Sequence, residues 1–431
     1  MVDQPDIVII GGGPAGSTAA AFLAMKGRHV VLVEKEAHPR FHIGESLLPR
    51  NLDIFERLGV LEQVRGIGVH KPGAQFVSDR TGRSSAFPFA NALNRDRSHA
   101  WQVKRADLDA LLFANAVKQG ATAFEQTRVT EVQLGQHGQR AIVTARTKDG
   151  GTVEWQPRYL LDASGRDTFM AARLNVKDSN KYNNTAAMYA HFTGVTRLEG
   201  DLPGYIRIHL AEDGWFWLIP LPGDITSIGF VGNQSAWKGR QGTVEELFAS
   251  RIASSPSVAA RTVGATMVSE VFSTANYSYR ARQGHGDGFL MIGDAYGFVD
   301  PMFSTGVLMA MTAGELGADA ADAWLDDPAR GRKLADRTNR ELARAMDRIS
   351  WLIYRINDPV MRTMFMSPSN RFYMRDGIIN MLAGNLRGNL RSVIPIACFK
   401  LAYHFLTALH RRGLGGELPE QAPTAVPSPG D

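Results

Sequence analysis

Asp6-Ile7-Val8-Ile9-Ile10-Gly11-Gly12-Gly13-Pro14-Ala15-Gly16 decides the fold. A short apolar run bounded by glycines is the pattern of a buried parallel strand. Residues 14–26 are rich in alanine and read as a helix, and His29 to Val33 is a second β-branched run. Strand, glycine turn, helix and strand in about 30 residues make a βαβ unit. The glycines at 11, 13 and 16 fall in G-x-G-x-x-G spacing. The first permits a tight turn, the second lets backbone approach a pyrophosphate, and the third lets helix pack on strand. The helix start then offers free N–H groups and its positive dipole end to phosphates. Glu34, 21 residues past Gly13, ends the second strand, where a carboxylate accepts hydrogen bonds from ribose hydroxyls. A ligand-free glycine loop is the plain alternative, disfavoured by this context.

Two later apolar runs end in turn residues. Tyr159-Leu160-Leu161 leads into Asp162-Ala163-Ser164-Gly165, and Phe289 to Ile292 leads into Gly293-Asp294-Ala295. Both read as strands of the same sheet arriving from far along the chain. No second G-x-G-x-x-G follows a strand, and an acid at 294 suits the ribityl chain or pyrophosphate of an extended flavin nucleotide. The cofactor reads as FAD. The expected fold is α/β: a discontinuous Rossmann-like FAD-binding domain (GR2-type, 1–182 and 276–330), an inserted antiparallel-sheet substrate domain (183–275), a helical C-terminal region (331–412) and a flexible tail (413–431). The sheet is read from β alternation at Ala187 to Val195, Tyr205 to Leu210, Trp215 to Ile219, Ile225 to Val231 and Thr266 to Phe272.

The chain's 431 residues are 44% hydrophobic and 21% charged, enough for a large core and unlike a disordered chain. A net charge of +5 without a dense Lys/Arg stripe argues against nucleic acid. Cys398 is the one cysteine, so no internal disulfide forms, which suits a reducing cytoplasm. The 11 histidines lack metal-ligand spacing, so no metal site is expected. The N-terminal run is broken by glycines and does not read as a signal peptide. No segment reaches about 18 unbroken apolar residues, so no transmembrane helix or membrane contact is expected.

Three elements resemble the superfamily of flavin monooxygenases, flavin halogenases and geranylgeranyl-reductase-like enzymes: the glycine loop, Gln102 to Asp109 with Arg105, and Gly293 to Gly306. The likeness spans roughly residues 5 to 330. It implies cofactor contacts at Gly11, Gly13, Ala15, Gly16, Glu34, Ser46, Arg105 (near the adenosine diphosphate), Val129 (near the adenine), Asp294 and Gly306. Trp215-Phe216-Trp217-Leu218-Ile219-Pro220 matches the W-x-W-x-I-P motif of flavin-dependent halogenases. Residues two apart on a strand share a face, so the tryptophans can form a wall between flavin and substrate; outside this context, two core tryptophans is the simpler reading. Gly44-Glu45-Ser46-Leu47-Leu48-Pro49 followed by Lys71 is similar to the phenol- and pyrrole-directed halogenases, whose essential residue is such a lysine. A solvated surface lysine is the commonest fate otherwise. An ammonium can polarise hypohalous acid by hydrogen bonding, and an amine can carry the halogen as a haloamine.

The resemblance therefore implies a halogenase using FADH2, O2 and chloride or bromide. A flavin hydroperoxide yields hypohalous acid, which passes Trp215, Trp217, Ile219, Pro220 and Phe303 to reach Lys71. Backbone N–H groups of Thr305 and Gly306, at a helix start, would hold the halide. Free-tryptophan halogenases place a glutamate before Ser-Thr-Gly; this chain has Phe303, which points to phenol or pyrrole substrates, free or tethered to an acyl- or peptidyl-carrier protein. A separate NAD(P)H-dependent flavin reductase is the expected partner. The basic C-terminal residues Arg387, Arg391, Lys400, Arg411 and Arg412 suit an acidic carrier or an ordinary helix surface equally. Three readings compete: an NAD(P)H-reduced aromatic hydroxylase, disfavoured because Asp162-Ala163-Ser164-Gly165 replaces the usual Gly-Ala-Asp-Gly; a polyprenyl reductase, in which Lys71 and the tryptophans have no purpose; and a scaffold retaining FAD without turnover.

Overall fold

The protein is described from a computed structural model, covering residues 3–135, 139–180, 185–198, 202–233, 237, 242–275, 278–356, 358–386 and 390–412. The chain divides into two compact units, one formed by 1–69, 101–183 and 276–350, the other by 70–100, 184–275 and 351–431.

The first unit is built on the βαβ element expected at its start. Strands Ile7–Ile10 and Val30–Val33 pair in parallel and flank helix Pro14–Met25. Tyr159–Asp162 adds in parallel beside Ile7–Ile10, and Phe289–Met291 beside it in turn; Thr122–Phe124 extends the other side. The four central strands are buried on both faces, which explains their unbroken apolar sequences. Gly11 and Gly16 fix how the first helix leaves the sheet. Gly11 has φ +101°, and a Cβ there would lie 2.3 Å from the Ala163 carbonyl oxygen; a Cβ on Gly16 would lie 1.9 Å from the Gly11 carbonyl oxygen.

The second unit is an eight-stranded sheet. Strands Thr185–Thr193, Thr226–Asn233, Gly214–Pro220 and Ile206–Leu210 pair antiparallel in that order. The expected run from Thr266 to Phe272 is instead two short strands, Thr266–Met267 and Phe272–Ala275, both pairing with Thr185–Thr193. One face packs Met188, Phe192, Phe216, Leu218, Ile228 and Phe230 against Phe248 and Val258 of helices Val244–Ser254 and Pro256–Ala259.

The α/β class and discontinuous nucleotide-binding domain stand as expected, but the division differs in three places. Residues 70–100 belong to the sheet unit, because strand Gly73–Ser78 pairs in parallel with Ile206–Leu210, so the sheet is not purely antiparallel. Residues 331–350 belong to the nucleotide-binding unit, held by an Arg280–Asp347 ion pair at 3.0 Å and by Gly331 against Trp324. The C-terminal helices are part of the sheet unit, where Phe365 meets Phe76 and Phe87 at ring-centroid distances of 5.2 and 5.3 Å. The reading of no membrane-length segment is also corrected. Ser392–Arg411, within helix Leu390–Arg411, is long and apolar enough to cross a membrane, with mean hydropathy 1.5. Lys400 breaks the apolar run without lowering the average enough. The same helix packs on Met374–Leu382, where a Cβ on Gly377 would come within 2.7 Å of Pro395, and Tyr403 meets Trp351 edge-on at 5.5 Å. Residues 413–431 and the side chains of Arg387 and Arg391 lie outside the described residues.

Phe365 is 1% exposed and closes the Phe76–Phe87 pair. Phe365→Ala is expected to cost about 3–5 kcal/mol, measured by chemical denaturation, with the loss confined to the sheet unit's transition if the two units unfold separately.

Candidate functional site

The nucleotide-binding unit assembles its expected residues around the glycine loop. Glu34, 3% exposed, accepts from the Gly12 N–H at 2.7 Å through one carboxylate oxygen and from the Glu36 N–H at 2.9 Å through the other. Each oxygen retains a lone pair for a ribose hydroxyl. A Cβ on Gly13 would meet only the Arg40 guanidinium, at 3.7 Å, which leaves room for a pyrophosphate to approach. Arg40 escaped the sequence reading, since no motif marks it. It lies 3.7 Å from Glu34 and 3.1 Å from Asp109. Asp109 in turn grips Arg105 through two bonds of 2.8 and 3.0 Å, and Arg105 also donates to the Ile43 carbonyl at 2.8 Å. Buried Asp109 is held below the ordinary carboxylate range: burial works against ionisation, but Arg105, Arg40 and His42 outweigh it. Val129 is buried two residues beyond Thr127, whose N–H donates to the Glu34 carbonyl at 2.9 Å.

Asp294 sits in the short turn after strand Phe289–Met291, with Gly293 against Ala15 of the loop helix. Burial pushes its carboxyl up to about 6, although Arg105 and then Arg166 pull it down. Asp294, Thr305 and Gly306 line one partly open pocket with Phe298, Asp300 and Met309. Helix Thr305–Asp326 begins here, and Ser304 before it adopts a left-handed conformation, φ 57°, with no side-chain cap on the first turn. The opening N–H groups thus face the pocket end of the helix dipole. Phe303 is 4% exposed in the same segment. The residues fit a flavin dinucleotide: the Ser46 hydroxyl is buried without a hydrogen-bond partner, the loop is open at Gly13, and an acid waits at 294. Among the described residues, no group of three His, Cys, Asp or Glu is arranged to hold a metal.

The sheet unit holds Lys71 and the tryptophans. Lys71 ends strand Gly68–Lys71, is 1% exposed, and lies 5.2 Å from the Phe89 ring centroid. Burial lowers its amine from 10.5 to about 7. Trp215 and Trp217 share a face, with centroids 5.9 Å apart, and the Trp217 indole donates to Ser227 at 3.2 Å. Ile219 is buried on the same strand and Pro220 ends it. Gly229, opposite Trp217, makes the indole possible there: a Cβ would lie 2.1 Å from the ring. The cross-strand row continues through Tyr189, 5.8 Å from Trp217, and on the other side through Ile208 to Phe76. These partners were missed because cross-strand neighbours are set by register, which no local motif encodes.

The fold and loop define a flavin-nucleotide-binding protein of the oxidoreductase type. Residues 4–315 match the FAD binding domain family. The chain is 35% identical to a tryptophan 2-halogenase of Chondromyces crocatus, over 72% of this chain and 60% of that one. It is 31% identical to a 1H-pyrrole-2-carbonyl-[peptidyl-carrier protein] chlorinase of Pseudomonas fluorescens, over 72% of this chain and 74% of the relative. A triple mutant of the flavin-dependent brominase Bmp2 superposes with a TM-score of 0.82 at 27% identity, covering 93% of this chain and all of that one. The chain belongs to the flavin-dependent halogenase family. It spans about three fifths of the length of the first two curated relatives.

Two outcomes test this geometry. Asp294 has its folded pKa raised from 3.8 to about 6, so its stability contribution is full below 3.8 and is lost as pH rises through 6. In the flavin-free protein, Asp294→Asn is therefore expected to gain stability over wild type as pH rises from 5 to 7.5, by at most about 3 kcal/mol; a gap that shrinks with pH refutes it. Gly229→Ala is expected to displace the Trp217 indole and cost about 1–3 kcal/mol, read by near-UV circular dichroism and thermal unfolding.

Proposed function

We propose that this chain halogenates an electron-rich aromatic ring, a phenol or pyrrole, through the amine of Lys71. The observation that carries the proposal is a lysine 1% exposed whose amine is depressed to about 7. Burying an ionisable end in a core costs stability. FAD would be held by Gly11, Gly13, Ala15, Gly16 and Glu34, with Ser46, Arg105, Val129, Asp294 and Gly306. When bound and reduced, it supplies hypohalous acid from O2 and chloride or bromide.

In this reading the chain does the rest. The first N–H groups of helix Thr305–Asp326, at Thr305 and Gly306, hold the halide. Trp215, Trp217, Ile219 and Pro220 form an aromatic and apolar wall on their strand, and Phe303 is an apolar position before the halide site. Near neutral pH, Lys71 is divided between two useful forms. The ammonium donates a hydrogen bond to hypohalous acid and polarises its O–X bond. The neutral amine attacks the halogen: the N–X bond forms, the O–X bond breaks, and hydroxide leaves with the amine proton as water. The ring then takes X⁺ from nitrogen and gives up H⁺, restoring the amine. Phe303 offers no carboxylate to an indole N–H, which favours phenol or pyrrole over free tryptophan. The carrier-linked pyrrole in the name of the Pseudomonas relative supports a tethered substrate, and a separate NAD(P)H-dependent reductase would supply FADH2.

The test is a coupled assay with a generic flavin reductase, bromide or chloride, and free and carrier-bound phenols, pyrroles and indoles, read by halogen isotope patterns. Lys71→Ala is expected to lose at least about 100-fold in rate. Products that are only hydroxylated, or a variant as active as wild type, overturn the proposal. The haloamine route predicts a rate rising through about pH 7, and the ammonium route one falling. A lysine whose folded pKa is depressed loses stability as pH falls through 7. Lys71→Met is therefore expected to gain more thermal stability over wild type at pH 6 than at pH 9, while losing activity at both.

A further inference from the structure

Strand Ile206–Leu210 turns Arg207 and His209 to the side of the sheet covered by helices Val244–Ser254 and Pro256–Ala259, opposite the side that carries the tryptophans. Arg207 is 7% exposed, yet its one hydrogen bond among the described residues is a neutral one, from Nε to the Gln75 amide oxygen at 3.0 Å. Among the described residues, the charge that acts on it is another cation, Arg261, which donates to the Thr196 carbonyl at 3.2 Å. Burial first, and Arg261 second, lower the Arg207 guanidinium to about 9. His209 is fully buried between these arginines' fields and a serine relay. Its Nδ1 meets the Ser257 hydroxyl at 2.5 Å, and that hydroxyl donates to Asp79, which also accepts from Ser255 at 2.5 Å. Because Ser257 spends its hydrogen on Asp79, it accepts from Nδ1–H. That leaves His209 Nε2 a bare acceptor, buried and without a partner.

We propose that Arg207, Arg261 and His209 form an anion site on the helix-covered face of the sheet, and that it takes a phosphate bearing a P–OH group. Buried cations are ordinarily paired, and one that meets no acid among the described residues, beside a second cation, suits an anion. Guanidinium groups match the spread oxygens of phosphate. The P–OH supplies the donor that a neutral His209 Nε2 lacks, so hydrogen phosphate satisfies all three residues. Sulfate and halides, without a proton to give, satisfy two. Free phosphate and the monoanion of a phosphomonoester share this chemistry; a phosphodiester does not.

The test compares thermal unfolding of the flavin-loaded protein at pH 6, where glycerol 3-phosphate also carries a P–OH, in inorganic phosphate, glycerol 3-phosphate, sulfate and sodium chloride at equal ionic strength, with calorimetric titration of the same anions. At ten times its Kd, phosphate is expected to raise Tm by roughly 3 °C over the chloride control, with sulfate weaker. A shift with glycerol 3-phosphate as large as with phosphate identifies a monoester as the ligand; a shift with phosphate alone identifies the free ion. Arg207→Met is expected to abolish the shift, and Arg261→Gln, a surface change that leaves the fold intact, to weaken binding at least tenfold. A phosphate shift no larger than that of chloride, a sulfate shift equal to it, or one unchanged in Arg261→Gln overturns the proposal.

Discussion

The pleat of strand Gly214–Pro220 is the constraint on which the second unit depends. Its side chains alternate strictly, so Phe216 and Leu218 enter the apolar core beneath the helices while Trp215 and Trp217 stand on the opposite face. A slip of one residue would bury both indoles against Phe248 and Val258 and expose the core. Gly229 helps to lock the register. Only a residue without a side chain leaves room for the Trp217 ring, and the neighbouring position across the next ladder, Tyr189, carries the aromatic surface onward to Phe272, stacked at 5.8 Å.

In the first unit, charge performs the corresponding task. Glu34, Arg40, Asp109 and Arg105 form an alternating chain of acid and base beside the glycine loop. Each ion is largely withdrawn from water, and each is matched by the next, so the run holds the loop in shape without a net field of its own. Asp294 stands outside that chain: it feels Arg105 only at a distance, and burial prevails. A carboxyl with a raised pKa at the start of a cofactor pocket is poised to donate a hydrogen bond as well as to accept one.

Motifs with a local physical cause were legible in the sequence. The glycine loop, Glu34, the two late strands ending at Asp162 and Met291, and the paired tryptophans follow from short-range spacing, and the structure sets each of these elements where that spacing implied. What required coordinates was everything fixed by register or by long-range closure. Residues 70–100 read as part of the nucleotide-binding domain by chain order, yet Gly73–Ser78 completes the sheet of the other unit, a parallel pairing across some 130 residues of sequence. Arg40 enters its ion chain through contact with Asp109, and nothing near it in sequence announces that. Ser392–Arg411 is apolar on average although Lys400 interrupts its apolar run.

The second unit retains two buried basic side chains that packing alone would replace. Lys71 and Arg207 each occupy a volume that methionine or leucine fills without desolvating a charge, and each is shifted away from its ordinary pKa chiefly by burial. They differ in what they ask for. A lysine near 7 exchanges its proton readily and can act as either donor or nucleophile, which suits chemistry. An arginine lowered only to about 9 remains charged at neutral pH and cannot act as a nucleophile; it can only donate hydrogen bonds, to the Gln75 amide oxygen or to an anion. The same low-dielectric interior that makes both residues costly therefore separates the two proposed roles, reaction for the lysine and binding for the arginine.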